Sequence, residues 1–327
     1  PPFGEARRAA VYAEKLKAVG LSDVTIDKAG NAYGVRKGTG GGPLLVVAAH
    51  LDTVFPAGTD VKVKRDGDRL AAPGVADDTA ALAVLLTIIR ALDAAKVTTR
   101  SDIVFMGDVG EEGQGDLRGM RYLFNEGPLA GKIGQFISIE SGGGRITTLG
   151  VGSRRYRLTY KGPGGHSFGA FGLVNPAYAL GDAMVEFGKI KVPASPKTTY
   201  SIGTLSGGTS VNSIPFSVAA EIDMRSESKA ELDAVEKQYL SLLQPAADRE
   251  NTARSTRAGK IEVDNKLIGD RPAGSTPNDA PIAQIAAAAI LAGGVTPRYT
   301  SGSTDSNLPM SLGIPAITLG SGLDRKS

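Results

Sequence analysis

One stretch of sequence decides the fold of this chain: residues 44–52 are Leu44-Leu45-Val46-Val47-Ala48-Ala49-His50-Leu51-Asp52. The apolar run ends in one of only 2 histidines, and a carboxylate follows shortly after it. Continuous apolar runs are typical of buried strands in a parallel sheet, and reactive groups lie beyond the carboxyl ends of such strands. We therefore expect His50 at the edge of an α/β sheet, with Asp52 accepting a hydrogen bond from its ring. A buried histidine with an ordinary structural hydrogen bond is the alternative interpretation of His-x-Asp alone.

Acidic residues stand at the ends of further predicted elements. They are Glu111 and Glu112 after the apolar strand 102–106, Glu140 after the strand 135–139, and Asp77 at the start of a long apolar helix. Asp78 or Thr79 is expected to cap that helix. Because parallel strands share one carboxyl edge, these acids should gather around the histidine. Such a succession is hard to explain as solvated surface acids.

The composition excludes several kinds of protein. The chain has 327 residues, a net charge of +3, 41% hydrophobic residues and no cysteine. Disulfides, zinc–thiolate sites and cysteine nucleophiles are therefore excluded. No dense block of basic residues indicates a nucleic acid partner, and no apolar run reaches membrane length. We expect a cytoplasmic protein, although a removed leader stays open because the chain opens at Pro1.

The sequence pattern changes near residue 153 and changes back near residue 267. Residues 155–161 alternate between apolar and polar, as an antiparallel strand with one wet face does. A helix, two strands flanking a Gly-Gly turn, a charged helix and a last strand follow, in the βαββαβ order of ferredoxin-like units. We therefore predict an α+β domain at 153–267, inserted into a mainly parallel α/β domain made of 1–152 and 268–327.

The candidate ligands define the chemistry. They are His50, Asp77, Glu112 and Glu140. Imidazole and carboxylates together favour zinc, with manganese or cobalt as alternatives. A carboxylate between two others can bridge a metal pair, and Asp77 suits that role because it follows a glycine-containing turn. Glu111 is then free to take a proton from water as a general base.

Several motifs together resemble the two-metal exopeptidase family of carboxypeptidase G, peptidase T, aminoacylase and acetylornithine deacetylase. The motifs are His50-Leu51-Asp52, Gly74-Val75-Ala76-Asp77-Asp78, Gly110-Glu111-Glu112-Gly113, Glu140, Gly162-Pro163-Gly164-Gly165-His166, Ser303-Thr304-Asp305 and Gly313-Ile314-Pro315-Ala316. The resemblance covers nearly the whole chain, in order. It implies that the inserted domain is the family's lid and dimerisation domain, and that the protein is a homodimer.

The resemblance also implies a role for each site residue. His50 and Glu140 would bind one metal, Glu112 the other, and Asp77 would bridge them, with Asp52 supporting the histidine and Glu111 as general base. His166 would help to hold the tetrahedral oxyanion in the partner subunit's site, Asn212 would contact substrate, and Arg271 would bind a substrate carboxylate. From the residues alone, these last three fit equally well as an exposed histidine, a turn-forming asparagine and a surface arginine.

One expected ligand is missing from the sequence. The family takes a fifth ligand, a histidine, shortly after the segment matched by Gly320-Ser321-Gly322, and no histidine follows here. Either that ligand lies beyond Ser327, which we favour, or the second metal site is incomplete.

We expect a di- or tripeptide exopeptidase, and Asp77-Asp78 with residues 303–307 lean toward the peptidase T-like branch. The alternatives are an N-acyl-amino-acid deacylase, a carboxypeptidase, or an inactive binding protein on the same scaffold.

Overall fold

The computed structural model describes residues 1–322, which fall into two compact units. Pro1–Gly150 and the segment from Arg271 onward form the first unit, and Val151–Asp270 forms the second. The division predicted from the sequence was 1–152 with 268–327, and 153–267. Residues 323–327 of that prediction lie outside the described residues.

The helices and strands follow one another along the described chain. They are α1 (Ala6–Ala18), β1 (Ser22–Ile26), β2 (Ala32–Arg36), β3 (Leu44–His50), β4 (Lys64–Asp66), β5 (Arg69–Ala71), a π-helical turn (Val75–Thr79), α2 (Ala80–Ala94), β6 (Ile103–Asp108), a 3-10 turn (Gly113–Gly115), α3 (Arg118–Asn125), β7 (Ile133–Glu140), β8 (Arg145–Gly150), β9 (Gly152–Lys161), β10 (Gly165–His166), α4 (Pro176–Phe187), β11 (Thr198–Gly207), β12 (Ser213–Ile214), β13 (Ser217–Ser226), α5 (Lys229–Ala253), β14 (Glu262–Arg271), β15 (Gly274–Ser275), α6 (Pro281–Ala292), β16 (Arg298–Gly302), α7 (Asn307–Ser311) and β17 (Ala316–Gly320).

The first unit is built on a nine-stranded sheet within residues 1–322, in the order β1-β2-β6-β3-β7-β17-β8-β15, with β16 pairing β8. Its central strands β6, β3, β7 and β17 are parallel. In the register of β3 and β6, His50 lies beside Asp108, so the carboxyl ends of these strands meet at one edge. The mainly parallel α/β sheet predicted from residues 44–52 is confirmed, and its carboxyl edge carries the predicted acids.

Helices on both faces hold the central strands in place. Helix α2 buries Leu82, Leu85 and Ile89 at three- and four-residue spacing, in one cluster with Val47 and Phe105 of the sheet. On the other face α3 buries Met120 and Leu123 in a cluster with residues of β3 and β6. Because both faces are covered, the strands consist of continuous apolar residues, and polar side chains occur where the strands end.

The second unit has a four-stranded sheet in the order β11-β13-β9-β14. Helices α4 and α5 bury Leu180, Phe187 and Tyr239 in a cluster with residues of this sheet. The element order is βαββαβ, as the alternating pattern predicted, with the two-residue strands β10 and β12 added as a separate ribbon. Throughout residues 1–322, no helix combines the length and the apolar character needed to cross a membrane.

Several local predictions differ from the structure. The hairpin before α2 pairs β4 with β5. Helix α2 begins without a side-chain cap, because the carboxylate of Asp78 accepts from a backbone N–H of β3 and the hydroxyl of Thr79 donates to Gly74 O. The sequence reasoning also missed α3, β8 and β16.

Candidate metal centre

His50 ends β3 and is buried, with each ring nitrogen engaged. Its Nδ1 lies 3.0 Å from the backbone oxygen of Asp52 and its Nε2 lies 2.9 Å from Asp77 Oδ1. We expected the Asp52 carboxylate to accept from the ring, but that carboxylate is 3.8 Å away and the carbonyl is the nearer acceptor. With Nδ1 donating to the carbonyl, Nε2 is the nitrogen whose lone pair becomes available to a metal ion once the ring is neutral.

The turn before α2 brings two aspartates to the histidine. Asp77 Oδ1 reaches the ring, while the fully buried Asp78 accepts from the backbone N–H of His50 at 3.2 Å. Ligand atoms of these three residues lie within 4.8 Å of one another. Gly74, with φ +72°, opens the turn, and a Cβ there would lie 2.9 Å from Thr53. The positive φ and this close approach favour glycine at that position.

Residues 109–115 follow β6 and are called the base loop here because they carry Glu111. The Asp52 carboxylate accepts from three successive backbone N–H groups of this loop, at 2.9 Å from Gly110, 3.2 Å from Glu111 and 2.8 Å from Glu112. Asp52 is buried, so the loop is anchored to the end of β3 by a charged group shielded from water. As a result, Glu111 and Glu112 have a ligand atom each within 4.8 Å of His50.

Glu140 ends β7 beside these groups. Within the described residues it is outside the two clusters that share His50, and its carboxylate accepts from Arg145 at 2.8 Å. Its pKa is nevertheless raised to about 8, chiefly by burial and then by the charge of Glu111, with Asp77 also contributing. Glu140 therefore belongs to the same electrostatic site.

The donor set fits divalent cations. Burial, and then the charges of Glu111 and Asp77, raise the pKa of Glu112 to about 7. Burial disfavours a charged His50, but the hydrogen bond that the protonated ring donates to Asp77 and the charge of Asp78 outweigh it and raise the pKa of His50. One imidazole among crowded carboxylates is a ligand set for zinc or manganese, and cations would relieve the repulsion among the acids.

Arg271 lies against the base loop. Its guanidinium donates to the Glu111 carboxylate at 3.2 Å, to the Glu111 carbonyl, to Ser303 Oγ at 3.3 Å and to Gly113 O at 3.5 Å. Both charged side chains are at least nine-tenths buried. We expected this arginine to bind a substrate carboxylate, and that role stays a prediction. A substrate carboxylate would compete with these contacts for the guanidinium.

His166 and Asn212 lie together in the second unit. The ribbon of β10 and β12 pairs His166 with Ser213, and Asn212 O accepts from Ser167 N at 2.9 Å. The Nδ1 of the exposed His166 accepts from two backbone N–H groups, of Phe168 and Gly169, both at 3.3 Å. The proton of a neutral His166 ring is therefore on Nε2, which can donate to an oxyanion.

A second acid pair, Asp108 and Asp305, was missed by the sequence reasoning. Both residues are fully buried, and their carboxyl groups lie close enough to shift each other's pKa values. Burial, and then the charge of Asp52 among others, raises the pKa of Asp108 to about 7, while burial and Asp108 raise that of Asp305. Asp108 could have been noticed as an acid that ends an apolar strand.

A groove opens beside the acids. It has a cavity volume of about 1000 Å³, and Asp77 and Glu112 line one part of it. Leu70 of the β4–β5 hairpin and Ala83 and Val84 of α2 line another part. Binding clefts for small molecules commonly measure about 300–1000 Å³, so there is room for a short peptide.

An imidazole and buried carboxylates at the carboxyl edge of a parallel sheet, beside a groove, define the class: a metal-dependent hydrolase. The chain belongs to Peptidase family M20/M25/M40, whose sequence profile matches residues 46–326. The family predicted from the motifs is thereby confirmed.

Similar proteins include peptidases and an amidohydrolase. The chain is 25% identical over 260 residues to succinyl-diaminopimelate desuccinylase of Leptothrix cholodnii, covering 72% of this chain and 67% of the relative. A tripeptidase structure from Staphylococcus aureus superposes with TM-score 0.77 at 23% identity, covering 97% of this chain and 84% of that one. A Bacillus subtilis protein described as a dinuclear metal binding peptidase superposes with TM-score 0.69 at 16% identity, covering 99% of this chain and 85% of that one.

Proposed function

We propose that this protein removes terminal residues from di- or tripeptides with the help of two divalent cations, zinc in the first instance. The observation that carries the proposal is the pair of ligand clusters that share His50, one with Asp77 and one with Glu111 and Glu112. In the proposed set His50, Asp77, Glu112 and Glu140 would hold the cations, and Asp77 would be the ligand that the two share. Bound cations supply Lewis-acid chemistry, which makes water nucleophilic near neutral pH and polarises the scissile carbonyl.

Glu111 serves as the general base in this proposal. It takes a proton from the water that attacks the carbonyl carbon, a C–O bond forms and the C–N bond breaks, and Glu111 passes the proton to the leaving amine. Burial raises the pKa of Glu111, while the charge of Arg271 limits the rise. A base works best with a pKa near the working pH, and burial moves Glu111 in that direction.

The second unit completes the proposal as a dimerisation domain. His166, protonated on Nε2, would donate to the oxyanion in the active site of a second copy of the chain, and Asn212 would contact substrate. Phe168 and Phe171 in the same loop are each 88% exposed, which supports a surface that a partner covers. Replacing both by serine should turn a dimer into a monomer in light scattering; a wild-type monomer would remove this part of the proposal.

A second candidate is an N-acyl-amino-acid deacylase, which the similarity to a desuccinylase favours. The protein loaded with Zn²⁺, Mn²⁺ or Co²⁺ should be assayed on matched dipeptides, tripeptides and N-succinyl and N-acetyl amino acids. Faster hydrolysis of the peptides supports the exopeptidase, and faster hydrolysis of the acyl compounds supports the deacylase. No hydrolysis of any of them with any of these metals would refute both.

A further inference from the structure

The base loop is held on two sides by buried groups of opposite charge. On one side Asp52 accepts three of its backbone N–H groups. On the other side the guanidinium of Arg271 donates to the Glu111 carbonyl, the Glu111 carboxylate and Gly113 O. The loop that carries the proposed base is therefore fixed by side chains from distant parts of the chain.

Two carbonyl groups of the loop accept from backbone N–H groups within or just beyond the loop. Gly110 O accepts from Leu117 N and Glu112 O accepts from Gly115 N, both at 2.8 Å. The carbonyl oxygens of Glu111 and Gly113 accept hydrogen bonds from Arg271. Buried backbone groups need partners, and Arg271 adds side-chain donors to those that the backbone of this turn provides.

The guanidinium suits this arrangement of acceptors. Its planar fork can reach a carboxylate and two carbonyl oxygens at once, whereas a lysine ammonium is a compact charge. Ser303 Oγ, 3.3 Å from one guanidinium nitrogen, helps to orient the fork. The side chains of Arg271 and Glu111 are only 5% and 9% exposed. Bulk water therefore competes little with the contacts between them.

We propose that Arg271 is a positioning residue: its hydrogen bonds fix the base loop so that the Glu111 carboxylate faces the attacking water. The proposal rests on the proposed hydrolase function, in which Glu111 is the base. It assigns Arg271 an effect on kcat that does not depend on whether the substrate has a free carboxylate. A displacement of about 1 Å in a reacting group can cost ~100-fold in rate.

The test compares Arg271→Met, Arg271→Lys and Ser303→Ala on two peptides that differ only in a free or an amidated C-terminus. If Arg271 positions the base, kcat falls ~100-fold in the methionine variant for both peptides, less in the lysine variant, and least in Ser303→Ala, while KM stays within about threefold. If only KM for the free-carboxylate peptide rises, Arg271 binds substrate and the proposal is overturned.

A second readout does not depend on catalysis. Amide hydrogen exchange of residues 109–115, measured without metal, should be faster in each variant than in the wild type. Unchanged exchange in this segment would overturn the proposal, even if the wild type hydrolyses nothing and the proposed function fails. Should the methionine variant not fold, the lysine and serine-site variants decide by the same criteria.

Arg36→Met is the matched control. Arg36 is 15% exposed, pairs with Asp93 at 3.1 Å and donates to Val97 O at 2.7 Å in the same unit, with the same chemistry away from the base loop. Its replacement should leave kcat and the exchange of residues 109–115 unchanged. A change equal to that of Arg271→Met would show a general loss of stability and overturn the assignment.

Discussion

The two units of the molecule both concentrate charge on a sheet, but they balance it differently. In the second unit Asp223 of β13 accepts from Arg155 and Arg225 at 2.9 Å and 2.7 Å. Burial would raise the pKa of Asp223, yet these two hydrogen bonds outweigh it and the pKa is lowered. At the sheet edge of the first unit the pKa values of Glu112 and Glu140 are raised to about 7 and about 8. In the second unit, arginines compensate the charge of the acid. In the first unit, the acids crowd together, and we expect bound cations to compensate their charge.

Glu111→Gln gives the largest effect that this contrast predicts. The amide keeps the shape of the side chain but cannot take a proton, so kcat should fall ~1000-fold, within the range for a lost general base. Metal content, measured by plasma mass spectrometry, should stay at the wild-type level. Activity within tenfold of the wild type would show that Glu111 is not the base.

His50→Ala removes the residue that both ligand clusters share. We expect at least one bound cation per chain to be lost, because the ligands that remain at the site are all carboxylate oxygens. The quantity to measure is metal per chain after dialysis, with His166→Ala as the control for the other histidine, which should keep its metal. Equal metal contents in the two variants would remove His50 from the ligand set.

Metal affinity should rise with pH. With pKa values of about 7 and about 8, Glu112 and Glu140 carry protons in the metal-free protein at pH 6 and must release them on binding. The apparent Kd for Zn²⁺ should therefore tighten by about tenfold per pH unit for each proton released, up to about pH 7 for Glu112 and up to about pH 8 for Glu140. A Kd that is independent of pH in competition titrations would mean that these acids are already ionised.

Asp108→Asn tests whether the buried acid pair destabilises the fold. Between pH 4 and 7 the unfolded chain has lost the proton of Asp108 while the folded chain, with a pKa of about 7, keeps it. The folded state then binds more protons, so the free energy of unfolding falls as pH rises through this window. The asparagine variant, measured by urea unfolding of metal-free protein at pH 8, should be more stable by up to about 4 kcal/mol, because the pKa is raised by about three units at about 1.4 kcal/mol each. A variant less stable than the wild type at pH 8 would contradict this account.

Asp223→Asn is the matched change in the other unit, with the opposite sign and a smaller size. The lowered pKa of Asp223 means that the folded state favours its charge, so its stabilising contribution is present at neutral pH and is lost as pH falls through its pKa. Because the side chain is 34% exposed, we expect a loss of at most about 1 kcal/mol at pH 7 and less at pH 3. A higher free energy of unfolding for Asp223→Asn than for the wild type would show that the two units do not differ in how they balance buried charge.

The sequence predicts the parts that local pattern controls. The apolar run before His50 predicts β3, and the pattern after residue 153 predicts the βαββαβ order of the second unit. Strand β8 escaped notice because Arg145–Gly150 has no apolar periodicity, and its partner β16 lies about 150 residues later. The pairing of Asp108 with Asp305 is likewise a product of the tertiary fold.

The site residues show the same division. The ligand set came from carboxylates at strand ends and from the family resemblance. The contacts of Asp52 could not be predicted, because its carboxylate is occupied by three N–H groups of a loop almost 60 residues away, which leaves only its carbonyl for the imidazole. The engagement of Arg271 with Glu111, 160 residues apart, has no sequence signal either.

The account depends most on one claim: an imidazole at the end of β3 shares a pair of cations with acids of the base loop, the end of β7 and the turn before α2. Anomalous diffraction at the zinc edge from crystals of the metal-loaded protein tests this directly. We expect two peaks on either side of the Asp77 carboxylate, one at about 2.0–2.1 Å from His50 Nε2 and the other bound by Glu112. Zinc bound away from His50 and Asp77, or no zinc peak in the first unit, would contradict the account.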